Sequence, residues 1–455
     1  MLMRALHDAE PTPPLETPPA PVSLLQAFWY WLKLGLVSFG GPAGQIAIMH
    51  HDLVEQKRWI SDKRFLHALN YCMVLPGPEA QQLATYIGWL MHRTWGGIIA
   101  GVLFVLPSFF MLVLLAWGYM AYGHVSTVAG ALYGIKPAVV AIVLFAAYRI
   151  GTRALKNRVM WAISALAFVA IFLFKLPFPL IVLTAAGLGF LGAHLAPNHF
   201  IVGGHGTASQ HFGRALIDDD TPTPAHAKFS WQGMFRVALT GVALWLLGMV
   251  GLYWQFGWQG ALTHMGWFFS KAALLTFGGA YAVLPYVYQG AVDHYHWLSA
   301  AQMMDGLALG ETTPGPLIMV VTFVGFVGGW LNQALAAHGP LLAGFLAATV
   351  VTFFTFLPSF VFIFSGAPWI ENTRDNVRLT APLSAITAAV VGVILNLALF
   401  FAYHVFLQSP WFAGVDWLAI GLAVVAWLAL ARFKINVIAV IAAYALLGML
   451  LQWLR

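Results

Sequence analysis

Two lysines lie inside long apolar stretches of this sequence, Lys33 in Trp31-Leu32-Lys33-Leu34-Gly35 and Lys271 in Phe269-Ser270-Lys271-Ala272-Ala273, and they stand 238 residues apart. An ammonium at membrane depth costs at least about 2.5 kcal/mol on insertion scales. A symmetric pair therefore requires counter-charge, supplied either by fixed carboxylates, for which Glu79 and Glu311 are the candidates, or by a small dianion. Each lysine precedes a Phe-Gly-Gly motif, Phe39-Gly40-Gly41 or Phe277-Gly278-Gly279, and at equal spacing a Pro-Gly-Pro motif, Pro76-Gly77-Pro78 or Pro314-Gly315-Pro316. Proline removes a backbone donor and glycine frees φ, so all four motifs are expected to break helices. A helix that restarts after Gly41, Pro78, Gly279 or Pro316 presents unpaired N–H groups and its positive dipole end, which together favour an anion. Broken helices at membrane depth are tolerated only against protein or a watery cavity, which marks the four breaks as the expected site. The plainer reading is that the motifs merely kink packed helices.

The two glutamates differ. Glu79 directly follows Pro-Gly-Pro, in the first turn of a restarted helix, where a carboxylate suits the dipole and often only caps. Glu311 precedes Thr312-Thr313-Pro314 near the end of a helix, where the dipole repels it. It is the better candidate for proton coupling, the alternative being a static ion pair with Lys271; Glu79 is the second candidate. Thr312, Thr313, Gln81 and Gln82 can donate to an oxyanion, or equally satisfy backbone beside a break. Lys136, next to Pro137, has no basic counterpart at Thr387 and is read as structural. His50, His51 and His67 border a basic loop and are read as solvated, as are His205 and His211.

The elements that must position these groups are legible from composition. Of 455 residues, 60% are hydrophobic and 8% charged, with a mean hydropathy of +0.80, against about 25% charged in a soluble domain. The chain is therefore expected to be an all-α integral membrane protein. One cysteine, Cys72, excludes an intrachain disulfide and any multi-cysteine metal site; no cofactor or metal is expected. Residues 1–23, with six prolines, read as a disordered cytoplasmic tail. Residues 24–195 form a first membrane half, 196–233 a flexible polar linker, 234–255 a connecting transmembrane helix, and 256–455 a second half. Besides the motifs above, Trp59 and Ser61 recur as Trp297 and Ser299, while Leu106-Pro107-Ser108-Phe109 recurs 251 residues later as Leu357-Pro358-Ser359-Phe360. Six apolar stretches per half plus one connector make thirteen, and the odd connector inverts the second half, the framework of many secondary transporters. If every stretch crosses fully, thirteen loop Lys/Arg lie inside and six outside. If instead the first two stretches of each half enter, break and leave by the same face, the count becomes seventeen inside and two outside, the better fit to positive-inside bias. Re-entrance is the expectation, with N-terminus and linker cytoplasmic.

At these residues the sequence resembles the chromate ion transporter family in its long, two-domain form. The matching text is Ser38-Phe39-Gly40-Gly41-Pro42, Leu75-Pro76-Gly77-Pro78-Glu79-Ala80-Gln81-Gln82-Leu83-Ala84-Thr85-Tyr86, Thr276-Phe277-Gly278-Gly279 and Pro314-Gly315-Pro316. The resemblance implies efflux of chromate from the bacterial cytoplasm across the inner membrane as proton-coupled antiport, with chromate resistance and with sulfate as a competing look-alike. The residues alone reach only a secondary carrier of a small divalent oxyanion; a sulfate or other oxyanion carrier, a membrane enzyme and a passive anion channel stay as alternatives. No metal-ligand spacing, nucleophile elbow or ATP-binding loop is present. The expected partners are the oxyanion, protons and the bilayer, with a homodimer left open and no nucleic acid.

Overall fold

In the computed structural model, residues 18–39, 41–195, 212–277, 280–336, 339–372, 380–407 and 414–454 are described. Residues 1–17 of the expected tail, 196–211 of the linker with His205 and His211, and Gly40, Gly278 and Gly279 lie outside them. Apart from one isolated bridge between Ile60 and Ile217, the described residues form helices and connections. Five helices among them are long and apolar enough to cross a membrane: Glu79–Tyr122, Ser126–Ala154, Trp231–Phe256, Pro340–Glu371 and Pro382–Phe406.

Helix α1 (Leu24–Val37) starts on a capping box in which Ser23 and Gln26 bond reciprocally, satisfying two of the amides that a helix start leaves free. It stops at Ser38, and the chain resumes as α2 (Gly41–His50), continued by a π-helical turn His51–Gln56. Helix α3 (Asp62–Val74), capped by Ser61, ends before Pro76-Gly77-Pro78, and α4 (Glu79–Tyr122) begins directly after it. With 14 and 13 residues, α1 and α3 are each about 20 Å long, too short for a hydrocarbon core of about 30 Å. Nor is α4 one rod. At His92 (φ −133°, ψ 34°) and Arg93 (φ 55°, ψ −159°) it leaves helical geometry, and its two arms fold onto each other, Gly88 facing Gly96 and Ala100, Thr85 facing Gly97 and Gly101. Small residues let the two backbones approach closely. Helices α5 (Ser126–Ala154), α6 (Arg158–Phe172) and α7 (Phe178–Leu195) complete this half, and α8 (Trp231–Phe256) connects.

The second half follows the same plan. Helix α9 (Ala261–Leu274) is followed by α10 (Ala280–Tyr288) with its π-helical turn Gln289–His294, 238 residues after the first π-helical turn. Then come α11 (Ala300–Thr312), a 3-10 turn Leu317–Met319 leading into α12 (Val320–Leu331), and α13 (Gln333–Ala336). Helix α14 (Pro340–Asn372) packs back along α12, Gly325 against Ala347 and Ala348, Gly329 against Ala343. Helices α15 (Thr380–Phe406), α16 (Trp417–Ala431) and α17 (Val437–Trp453) close the chain.

Hydrogen bonds identify one end of the molecule, here the N-terminal face. His92 Nε2 meets the Val22 carbonyl at 2.7 Å and His226 Nε2 the Trp89 carbonyl at 3.0 Å. Leu216 N–H donates to Arg58 O, Ile217 N–H to Trp59 O and Ser61 N–H to Ile217 O. The described part of the linker is thus fastened to the 57–61 loop rather than free. At the same face, His50 lies between Glu55 (3.1 Å) and Asp62 (2.8 Å). Tyr133 OH donates to Asp416 at 2.7 Å at the opposite face.

The halves interlock at their breaks. Gly77 N–H donates to Thr276 O at 2.7 Å, and Gly315 N–H to Ser38 O at 2.8 Å; the 238-residue spacing turns one bond into the other. Gly77 also packs on Ser359 and Gly315 on Ser108, positions related by the spacing of 251. With φ of 128° and 92°, Gly77 and Gly315 occupy backbone that L side chains rarely adopt.

Candidate functional site

A narrow cleft with a cavity volume of about 40 Å³ opens between α2, α5, α10, α11 and α17. Its inner end holds the residues of the breaks. Gly41 (φ 71°) begins α2, Tyr281 is the second residue of α10, and Leu317 begins the turn into α12. Thr313 and Gly315, from the Pro-Gly-Pro connection, line it beside Glu311 in the last turn of α11. Toward the N-terminal face the walls are Ile142, Phe145 and Arg149 of α5, with Asn436, Val437 and Ile438 at the start of α17. Asn436 Oδ1 accepts from the Ile438 amide at 2.9 Å, fixing that helix start.

Chemically the cleft joins a cation to several helix starts. The half-buried Arg149 guanidinium has no ion pair within 4.0 Å and no hydrogen bond of its own among the described residues. It lies within electrostatic reach of Glu311 and Tyr281. Tyr281 OH donates to Glu311 Oε1. A guanidinium with free N–H groups, beside backbone amides at the starts of α2, α10 and α12, suits a planar or tetrahedral oxyanion. Beside the cleft the junction is polar throughout. Gln45 Nε2 donates to Gly315 O at 2.5 Å and Ser38 O at 3.3 Å, and Thr313 Oγ1 lies 3.5 Å from Ser108 Oγ.

The structure gathers only part of the residues singled out from sequence. Gly41, Gly315, Thr313 and Glu311 line the cleft. Lys33 is exposed on α1, in a separate open depression at the N-terminal face with Asp52, Lys57, Tyr30 and Trp59. Lys271 holds its Nζ over the Trp267 ring, 5.4 Å from the centroid, a cation–π contact at the periphery of α9. Neither lysine reaches the cleft. The alternative ion pair between Lys271 and Glu311 does not form; Tyr281 is the partner of Glu311. Gly77 and Glu79 belong to the other break, outside the cleft. Gln81 Nε2 donates to Thr85 Oγ1 at 3.1 Å, Gln82 Nε2 to Pro76 O at 2.8 Å and Thr312 Oγ1 to Leu309 O at 2.7 Å, none of them into the cleft. Gly40, Gly278 and Gly279 lie outside the described residues.

Sequence reasoning missed Arg149, Tyr281 and Asn436. Arg149 sits among Arg153, Lys156 and Arg158 and reads as one more cytoplasmic loop cation. The signal that it belongs to the membrane body is the unbroken run of helix from Ser126 to Ala154, with no turn former between Arg149 and the apolar segment before it.

The chromate transporter family model matches residues 25–190 and again residues 263–449. This chain belongs to the chromate transporter family. The chromate transport protein of Pseudomonas aeruginosa is 35% identical over 441 residues, 96% of this chain and 94% of its own. That of Cupriavidus metallidurans is 31% identical over 389 residues, 85% of each chain. The probable chromate transport protein of Synechococcus elongatus is 28% identical over 373 residues, 82% of this chain and 83% of its own. No solved structure matches. Two matches of one family model in one chain make the halves of this family member repeats of a single unit.

Proposed function

We propose that this chromate transporter family member is a secondary carrier that exports chromate from the bacterial cytoplasm across the inner membrane, and that the cleft at Arg149 is where the dianion binds. The observation that carries the reading is the convergence of a guanidinium free of ion pairs with helix starts from both repeats, in a chain whose relatives are named as chromate transport proteins. On this reading the halves are inverted, and the first two stretches of each are re-entrant. The contacts that join Val22, the 57–61 loop, the 92–93 turn and residues 216–226 at one face support this, as do α1 and α3, too short to span. The cleft then opens to the cytoplasm and closes at mid-membrane.

Efflux of a dianion is favoured by an inside-negative potential, by about 2.3 kcal/mol per charge per 100 mV. Glu311 is the proposed proton-linked group. Its ionised carboxylate repels the dianion and competes for Arg149, so anion binding favours the protonated form, and a proton bound there accompanies the anion. This linkage has the opposite sign to the antiport that the family resemblance implies. One proton carried with a dianion still leaves a net negative charge moving down the potential.

Chromate flux in proteoliposomes tests the assignment. Arg149→Ala is expected to lower flux at least ten-fold at normal insertion, while Lys271→Ala retains it; retained flux in Arg149→Ala removes the site. Sulfate as competitor in the same assay measures how far the site separates the two anions, and chromate survival of cells expressing the chain tests the direction.

A further inference from the structure

A second charged cluster lies beyond the closed end of the cleft. Asp305 of α11 is six residues before Glu311, hence about 9 Å nearer the opposite face along the same helix. It is 3% exposed. Tyr119, in the last turn of α4, donates its OH to Asp305 Oδ2 at 3.0 Å, and Lys136 Nζ of α5 stands 3.9 Å from Oδ1. The cluster therefore ties three elements, α4, α5 and α11, on the far side of the closed end of the cleft.

We propose that Lys136–Asp305, steadied by Tyr119, is the outward gate of the transport path, separating whenever the site faces the opposite side; this rests on the transport reading above. Two observations distinguish a gate from a fixed strut. The first is the looseness of the pair. At 3.9 Å the ammonium is outside hydrogen-bond reach, and Asp305 Oδ1 has no hydrogen-bond partner. A static buried pair needs tight geometry and saturated lone pairs to offset desolvation; this one has neither. The second is the asymmetry of the repeat. The position equivalent to Asp305 is His67 on α3, and that equivalent to Tyr119 is Ile370 on α14. These too are in contact, His67 Nε2 lying 3.3 Å from the Ile370 carbonyl. The same packing junction thus exists on the N-terminal side, but Lys136 is replaced there by Thr387, whose hydroxyl bonds its own helix at Leu383 O. The Lys136–Asp305 pairing itself is therefore not repeated on the N-terminal side among the described residues, where the buried carboxylate is instead Glu371, which accepts from the Tyr86 hydroxyl. Lys136 also supplies an ammonium on the exit route once Asp305 moves away, a second attraction for the departing anion.

The test exploits Cys72, the single and buried cysteine. In a Cys72→Ser background, Lys136→Cys combined with Asp305→Cys is bridged by a short bis-methanethiosulfonate, which forms a disulfide with each thiol and releases sulfinate. A gate stops chromate flux when bridged and restores it on reduction. Undiminished flux through the bridged protein overturns the proposal and makes the pair a strut. Because the paired variant removes both charges and can fail to insert, labelling provides an independent arm. Thr313→Cys, in the cleft, is probed from the opposite face with an impermeant maleimide, alone and with Asp305→Asn. The gate predicts a several-fold increase in labelling when Asp305 is neutral, and no increase overturns it. Absence of flux in the parent protein speaks against the transport reading alone, since the labelling arm requires no transport.

Discussion

Arg149 and Lys271 illustrate how much a residue's meaning depends on what surrounds it. Both are cations near helix ends, yet Lys271 rests on an indole while Arg149 turns a fork of donors into a cleft where a carboxylate, a phenol and several backbone amides already face each other. In the proposed site, Glu311 is the residue whose protonation the anion would sense. Glu311→Gln is expected to bind the chromate dianion with little pH dependence, whereas in the native protein affinity for the dianion rises as pH falls, because protonation removes the like charge beside it; the check is binding measured across pH 5.5 to 8 (about the range in which a coupling carboxyl must titrate to be useful) and expressed per chromate dianion, since chromate itself takes up a proton in this range. Persistence of the native pH profile in Glu311→Gln rejects the coupling role. At this scale the sequence was half informative. Glu311, Thr313, Gly41 and Gly315 stood out because they lie in or beside the Gly/Pro motifs, and those motifs line the cleft. The lysines stood out because they are rare in apolar runs and related by the repeat, but a repeated position fixes no contact: Lys271 rests on the Trp267 ring and Lys33 is exposed. Tyr281 carried no signal, since a tyrosine in a chain that is 15% aromatic is unremarkable until its hydroxyl is seen on a carboxylate.

Helices in this protein end where glycine and proline make continuation costly, and that part was legible: Val37, Val74 and Thr312 are last residues before the expected breaks. The reversal in α4 was not. His92 and Arg93 are poor turn formers, and Arg93 with φ 55° and ψ −159° occupies a sparsely populated region that costs about 1–3 kcal/mol outside glycine; it is held there by the packing of the two arms and by the bond of His92 to Val22. The π-helical turns were equally hidden, since nothing in His-Asp-Leu-Val-Glu-Gln announces a wider helix. The glycines at the breaks give the sharpest element-level prediction. In Gly315→Ala the new methyl would require a φ near 92° and stand 2.9 Å from Ser108 Cβ. A loss of about 1–3 kcal/mol is expected, read as lowered thermal stability in detergent. Gly41→Ala, where a methyl meets nothing within 4 Å, bears the backbone strain without the clash and is expected to lie at the mild end of that range. Equal stability of the two variants would contradict this reading of the junction.

The molecule as a whole is two copies of one plan clasped at their weakest points. Duplication was plain in the sequence because four motif blocks keep register over more than a hundred residues; what no spacing could reveal is that each break is completed by the other half. The same contacts make the proposed topology testable. Cysteines introduced at Lys63 and at Asp219 are expected to label from the same side of the membrane, the cytoplasmic one, because Ser61 binds both Asp219 Oδ1 (2.6 Å) and the Ile217 carbonyl; labelling of Lys63→Cys from the periplasm alone would rule out re-entrance. The clasp also bears on biogenesis. As the chain leaves the ribosome, Ser38 and Gly77 are in place long before Thr276 and Gly315 exist. Until then a carbonyl and an amide that end buried have no mate, and a buried unpaired backbone group costs about 1–3 kcal/mol. The nascent first half must therefore stay hydrated at its centre, a half-built vestibule that insertion machinery has to tolerate. Closure of the core is a late docking of two already inserted bodies, so lesions near residues 276 and 315 are expected to leave the first half stranded in the membrane as a target for quality-control proteolysis.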